Sequence, residues 1–306
     1  MWSFLKQTIL DFSEDNCPRM AAALAYYTVF SLAPLLIIII AICGFLWDPA
    51  DIRGTVAREV QSVVGADGAR QIDVMLDNAT RSEGGVTASV LSAVMLLWGA
   101  TGLVGQLQAA LNETWEVRPD PEQGGIRNFV IKRVLSLAMI LGVAFLLLVS
   151  LVLSSVLAAA GDTIAGRLPE GFSQPLLQTL YAVASTLVIA MLIAVMFKFL
   201  PDAHVRWRDV AVGALLTAVL FTVGKFAMGA YLGSKNMEST YGAAGSLALI
   251  LVWVYYTAMI FLLGAEFTQV WAKRIGPGVK PADGAVKVVS KTVREPAEQK
   301  PSYLGV

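Results

Sequence analysis

A single carboxylate, Glu266, interrupts the segment "MIFLLGAEFTQVW", and it is the only charge between Ala243 and Ala272. An acid in such a run needs a cation, a proton or water beside it, because bare ionisation in hydrocarbon is strongly unfavourable. The carboxylate has two readings. One is a structural bond to a neighbouring helix or loop, with Arg19 or the basic residues of the second connection as partner. The other is a site for a proton, a cation or a polar substrate. Spacing turns Glu266 inward, since Gly245, Ala248, Val252, Tyr255, Met259, Leu262, Glu266 and Gln269 share one helical face of small and polar residues. Tyr27 in an earlier apolar run, and Gln106, Asn112 and Glu113 in "GQLQAALNETWEV", are the polar side chains that can join Tyr255 and Glu266 around a cavity.

Other chemistry-bearing residues give weaker signals. Lys225 shares a face with Ala214, Ala218, Thr222 and Gly229 and can snorkel outward along its own stem. His204 is the single histidine, in the turn "PDAHVRWRD", where a surface role outweighs acid–base work. Cys17 and Cys43 fall near opposite ends of one apolar run and cannot pair. With no CxxC pair and no His cluster, neither a metal site nor a cofactor is expected.

The elements that position these residues are set by composition. Of 306 residues, 56% are hydrophobic and 15% charged, which is a membrane-protein balance. A bilayer core of about 30 Å takes about 20 apolar residues of helix. Six runs reach that length, at 19–46, 86–104, 134–160, 175–197, 209–232 and 243–272, so an all-α polytopic fold of six transmembrane helices is expected. Glu266, five residues before Trp271, then sits roughly 7 to 8 Å inside the interface.

Basic residues orient the chain. Arg118, Arg127, Lys132 and Arg133 mark the second connection and Lys198, Arg206 and Arg208 the fourth, which places both termini in the cytoplasm. Before the first run, Trp2, Leu5, Ile9 and Phe12 recur at helical spacing, as expected of an interfacial segment over 1–18 that remains in the mature protein. The outer loop at 47–85 carries two apolar stripes, Ile52 to Val64 and Ile72 to Ala79, which read as amphipathic helices that cap the bundle or lie on the outer leaflet, with the mostly acidic polar faces favouring the cap. The polar, Pro- and Gly-rich stretch at 276–306 reads as a disordered cytoplasmic tail. Within the runs, Gly99, Gly102 and Gly264 are close-packing positions, and Pro34 removes a backbone hydrogen bond and should kink its helix.

Four segments in order, "MAAALAYYTVFSLAPLL", "LQAALNETWEV", "FLPDAHVRWRDVAVGALLTAVLF" and "YGAAGSLALILVWVYYTAMIFLLGAEFTQVW", resemble the YihY/BrkB family of bacterial inner-membrane proteins. The resemblance covers about residues 5 to 275. It implies recurrent positions at Pro34, Asn112, Trp115, Pro201, Tyr241, Gly242, Gly264 and Glu266. Members are described as transporters or permeases and as serum-resistance factors, and many carry an old "ribonuclease BN" label. The residues argue against that last activity. Phosphodiester hydrolysis wants clustered carboxylates or histidines on a basic, RNA-holding face, whereas this chain has one His and zero net charge.

The expected function is therefore not enzymatic. It is transport of a small molecule, an ion or a lipid-related substrate across the inner membrane; the alternative is a non-transporting scaffold or envelope-maintenance factor. No GxxxxGK[ST] loop supports nucleotide drive. Expected partners are the lipid bilayer and a lipid or small-molecule substrate, not nucleic acid. Small-residue faces suit a homo-oligomer and intramolecular packing equally.

Overall fold

A computed structural model of the chain describes residues 2–43, 86–123, 173–233 and 238–288, with isolated positions inside 53–77 and 134–142. Its helices are α1 (Trp2–Glu14), α2 (Cys17–Cys43), α3 (Val86–Thr114), α4 (Ser173–Phe199), α5 (Trp207–Gly233) and α6 (Glu238–Arg274). Five of the apolar runs thus fall on helices; the run at 134–160 lies outside the described residues apart from a few positions. By length and composition, three described segments can cross a membrane: Ala182–Phe199, Trp207–Lys225 and Ile250–Arg274. Apolar stripes left exposed on these helices fit that reading. Val183, Leu187 and Met191 form one on α4, and Leu215, Val219 and Val223 another on α5. In water such stripes would drive aggregation, whereas lipid solvates them.

The opposite faces form the core. Cys17, Ala21 and Leu24 of α2 meet Ala110 and Leu111 of α3, Ala194 and Phe197 of α4, Ala214 and Ala218 of α5, and Leu262 and Ala265 of α6. Trp115 meets Phe197 edge-on at 6.1 Å between centroids, and Phe197 meets Phe261 at a tilt at 4.9 Å. Alanine is frequent here because only small side chains let helix backbones approach this closely.

The α5–α6 contact is reciprocal. A Cβ on Gly213 would strike the side chain of Thr268, and one on Gly264 would strike that of Thr217. Each threonine is tied back to its own helix, Thr217 Oγ1 donating to Gly213 O and Thr268 Oγ1 to Gly264 O, both at 2.7 Å. Two Gly-x-x-x-Thr units therefore interlock across an antiparallel pair. Gly224 repeats the device farther along, seated under Tyr256. The close-packing expectation at Gly264 falls on one half of this arrangement. On the α2–α3 contact, the Gly99 carbonyl accepts from Ser31 Oγ at 2.6 Å, and Gly102 lies beside Tyr27. Helix α2 continues through Pro34, whose side chain lies outside the described residues.

The expected all-α fold carries short strands at one end. Strand β1 (Val117–Pro119) pairs antiparallel with β4 (Ala285–Lys287), and β2 (Ala203–His204) with β3 (Lys280–Pro281). The stretch expected to be a disordered tail from 276 is therefore structured as far as Val288; residues 289–306 lie outside the described set. After α6, Gly278 adopts a left-handed φ of 80° and returns its N–H to Ala272 O at 2.9 Å, closing the helix. Gly276 packs so tightly against Arg206 and Asp209 that a side chain has no room. The strand segment then runs across both short connections, adding Ala282 N to Asp202 O at 3.0 Å and Val288 N to Glu116 O at 2.8 Å.

Most of the outer loop at 47–85 lies outside the described residues. Within it, Arg53 bridges Asp73 and Asp77 at 2.6 Å, and Ile72 and Leu76 are buried against Leu36, Ile250 and Trp253.

Candidate functional site

Glu266 is wholly buried on α6, about two turns before the helix ends at Arg274, and its side chain meets the start of α2. The α1–α2 junction makes this meeting possible. Helix α1 ends at Glu14, the chain turns through Asn16 with a left-handed φ of 53°, and α2 begins at Cys17. Asparagine tolerates that conformation better than other non-glycine residues. Phe4 of α1 packs edge-on against Phe267 and Trp271 of α6 at 4.8 and 5.9 Å, and Arg274 lies 5.7 Å over the same ring. Helix α1 is thus fixed to α6 on one face, while Leu5, Ile9 and Leu10 stay exposed on the other.

At the junction, Cys17 Sγ donates to Glu266 Oε1 at 3.4 Å, and the Asp15 carboxyl lies alongside as a hydrogen-bonding neighbour. Among the described residues, Glu266 Oε2 finds no hydrogen bond of good geometry. The Thr114 hydroxyl, fully buried at the end of α3, sits beside the Cys17 sulfur without reaching such geometry itself, and neighbouring Trp115 Nε1 is likewise unsatisfied. Buried polar atoms from the start of α2, the end of α3 and α6 thus converge with few partners. Buried polar groups are normally paired, which sets this junction apart within the described core.

The surroundings are acidic. Burial pushes the Asp15 carboxyl up to about 6; Glu116, Glu113 and Asp11 push the same way, and the bond to Glu266 opposes them. Arg19, one partner that a structural reading offered, is exposed, and the described partner of Glu266 is the Cys17 thiol; Arg127, Lys132 and Arg133 of the second connection lie outside the described residues. Lys273 binds Glu116 at 2.8 Å and Arg118 binds Glu113 at 3.2 Å.

The remaining candidates are spread along the bundle. Tyr27 lies ten residues along α2 from Cys17, and Tyr255 eleven residues along α6 from Glu266, each roughly 15 Å away at the helical rise. Both are substantially exposed. Gln106 is half-buried on α3, two turns from Thr114. Glu113 is exposed in its ion pair with Arg118. Asn112 is buried and serves as a clamp. Its Nδ2 donates to Asp202 Oδ2 and its Oδ1 accepts from Asp202 N, both at 2.8 Å, which fastens the end of α3 to the α4–α5 turn. His204 is exposed on β2. Spacing in the sequence does not single out Asp15, Cys17 and Thr114 as companions of Glu266. Their only signal is polarity at the edge of apolar runs, and 249 residues separate Cys17 from Glu266.

A sequence model described as Virulence factor BrkB matches residues 8–287. Similar curated proteins include a UPF0761 membrane protein of Ralstonia nicotianae, 27% identical over 87% of this chain and 59% of that protein. Another, from Verminephrobacter eiseniae, is 30% identical over 87% of this chain and 62% of its own length. A third, from Mannheimia succiniciproducens, is 26% identical, covering 85% of this chain and 86% of that protein. The chain thus spans about three fifths of the first two relatives. No solved structure matches.

Proposed function

Since the chain belongs to the Virulence factor BrkB family of membrane proteins, we propose that it is a transporter or permease for a small molecule, an ion or a lipid-related substrate. One observation carries this reading: Glu266, fully buried in a helix able to span the membrane, keeps an unsatisfied oxygen and has acids rather than a base beside it. A purely structural carboxylate would be matched with a cation or with several donors. The working protein resides in the inner membrane with both termini cytoplasmic, carries out no enzymatic step and binds no nucleic acid. Its partners are the surrounding lipid and the transported substrate.

Six spans fit the described elements. Helices α3 and α4 both end at the strand-bearing face, so the chain needs one more crossing between Gln123 and Ser173, and the apolar run at 134–160 is long enough to supply it. The burial of Ile72 and Leu76 on α2 and α6 supports a capping role for the outer loop. That cap also favours the second reading, a scaffold that binds an envelope partner on its outer face.

Native mass spectrometry of protein extracted gently from its own membrane separates the two. A defined adduct on the wild type, absent from folded Glu266→Gln, is the outcome transport requires. Identical lipids on both, with function lost only on altering 51–80, would replace transport with the scaffold.

A further inference from the structure

Resting on the reading of Glu266 as a working acid, we propose that Asp15 and Glu266 together hold one exchangeable proton and form the point where the protein takes up or gives off protons. Glu266 Oε1 receives only the weak thiol donor of Cys17, and Oε2 has no hydrogen bond of good geometry. Among the described residues, the groups facing the pair are Asp11 on α1, Cys17 on α2, and Glu113 and Glu116 at the end of α3. None is a base. Of the cations at this end, Lys273 is held by Glu116, Arg118 by Glu113 and Arg274 by Ser3, while Lys6 and Arg19 are exposed.

A proton covalently bound to Glu266 resolves both problems at once. It removes a bare charge from a buried position, and its O–H donates to the Asp15 carboxylate. On release, the proton passes to Asp15 and from that half-exposed carboxyl to water, leaving Glu266 as a carboxylate; uptake runs the same steps backward. Asp15 suits the relay because burial keeps its own affinity for a proton high, with a value of about 6. A bound metal ion fits less well. Hard cations take about six or more oxygen ligands, and among the described residues no three His, Cys, Asp or Glu side chains gather in a metal-holding group.

Infrared difference spectroscopy of the full chain in lipid nanodiscs, stepped through rising pH, tests the site directly. The expected result is a carbonyl band of a buried protonated carboxyl that bleaches as pH rises. Glu266→Gln abolishes the band. Asp15→Asn, on a turn where folding is safest, keeps it and moves its midpoint to lower pH, because a neighbouring negative charge is gone. An unchanged band in both variants, or a midpoint set by sodium or potassium concentration, overturns the proposal. The readout does not depend on transport. A titrating band in a protein that moves no substrate leaves the proton site standing and removes the transport reading alone.

Discussion

At the residue scale, the Asp15 carboxyl makes stability depend on pH in a defined direction. Its folded value of about 6 lies above its ordinary value of 3.8, so the folded protein binds this proton more tightly than the unfolded chain does. Its contribution is full below 3.8 and fades as pH rises through about 6. The thermal midpoint in detergent should therefore fall over that window, and Asp15→Asn should flatten this part of the profile; a midpoint that rises across the window contradicts the assignment. The inward aim of Glu266 was legible in part: on the helical face that predicted it, Leu262, Glu266 and Gln269 are buried, whereas Ala248, Val252 and Tyr255 are exposed. Its companions were not legible. Cys17 and Asp15 reach it through the turn at Asn16 and the docking of α1 on α6, and no spacing rule connects positions 249 residues apart.

Helices and their connections carry the next set of consequences. The Gly213–Thr268 and Gly264–Thr217 interlock predicts that Gly264→Ala costs about 1–3 kcal/mol, since the added methyl overlaps the Thr217 side chain. Thr217→Ala in the same protein should recover part of that loss, measured as a double-mutant cycle in denaturant or heat. Additive losses would mean that the two side chains do not meet. At the α1–α2 turn, Asn16→Gly should be nearly neutral, whereas Asn16→Val should cost about 1–2 kcal/mol because a branched side chain resists positive φ. Long helices were readable from apolar length alone. The strands were not, since segments of two and three residues carry no detectable period, and β3 and β4 lie within a Pro- and Gly-rich stretch whose composition argues for disorder. Their order comes from partners on distant connections, which local composition does not encode.

For the whole molecule, the strand segment after α6 joins the end of α3, the α4–α5 turn and the end of α6 at a single face. Removing residues 277–306 should leave a membrane-inserted protein with a lower thermal midpoint. Limited proteolysis should then cut the connections around 117–123 and 200–206 faster than in the intact chain; equal cutting rates would show that the ladders do not hold them. The same feature also orders events during synthesis. Residues 280–287 emerge only after α6 has been made, so the ladders close last, and a chain halted before them carries its helices without the tie across their ends. Such a chain presents β1 and β2 with unpaired edges, which stay open to mispairing and cleavage until residues 280–287 pair with them.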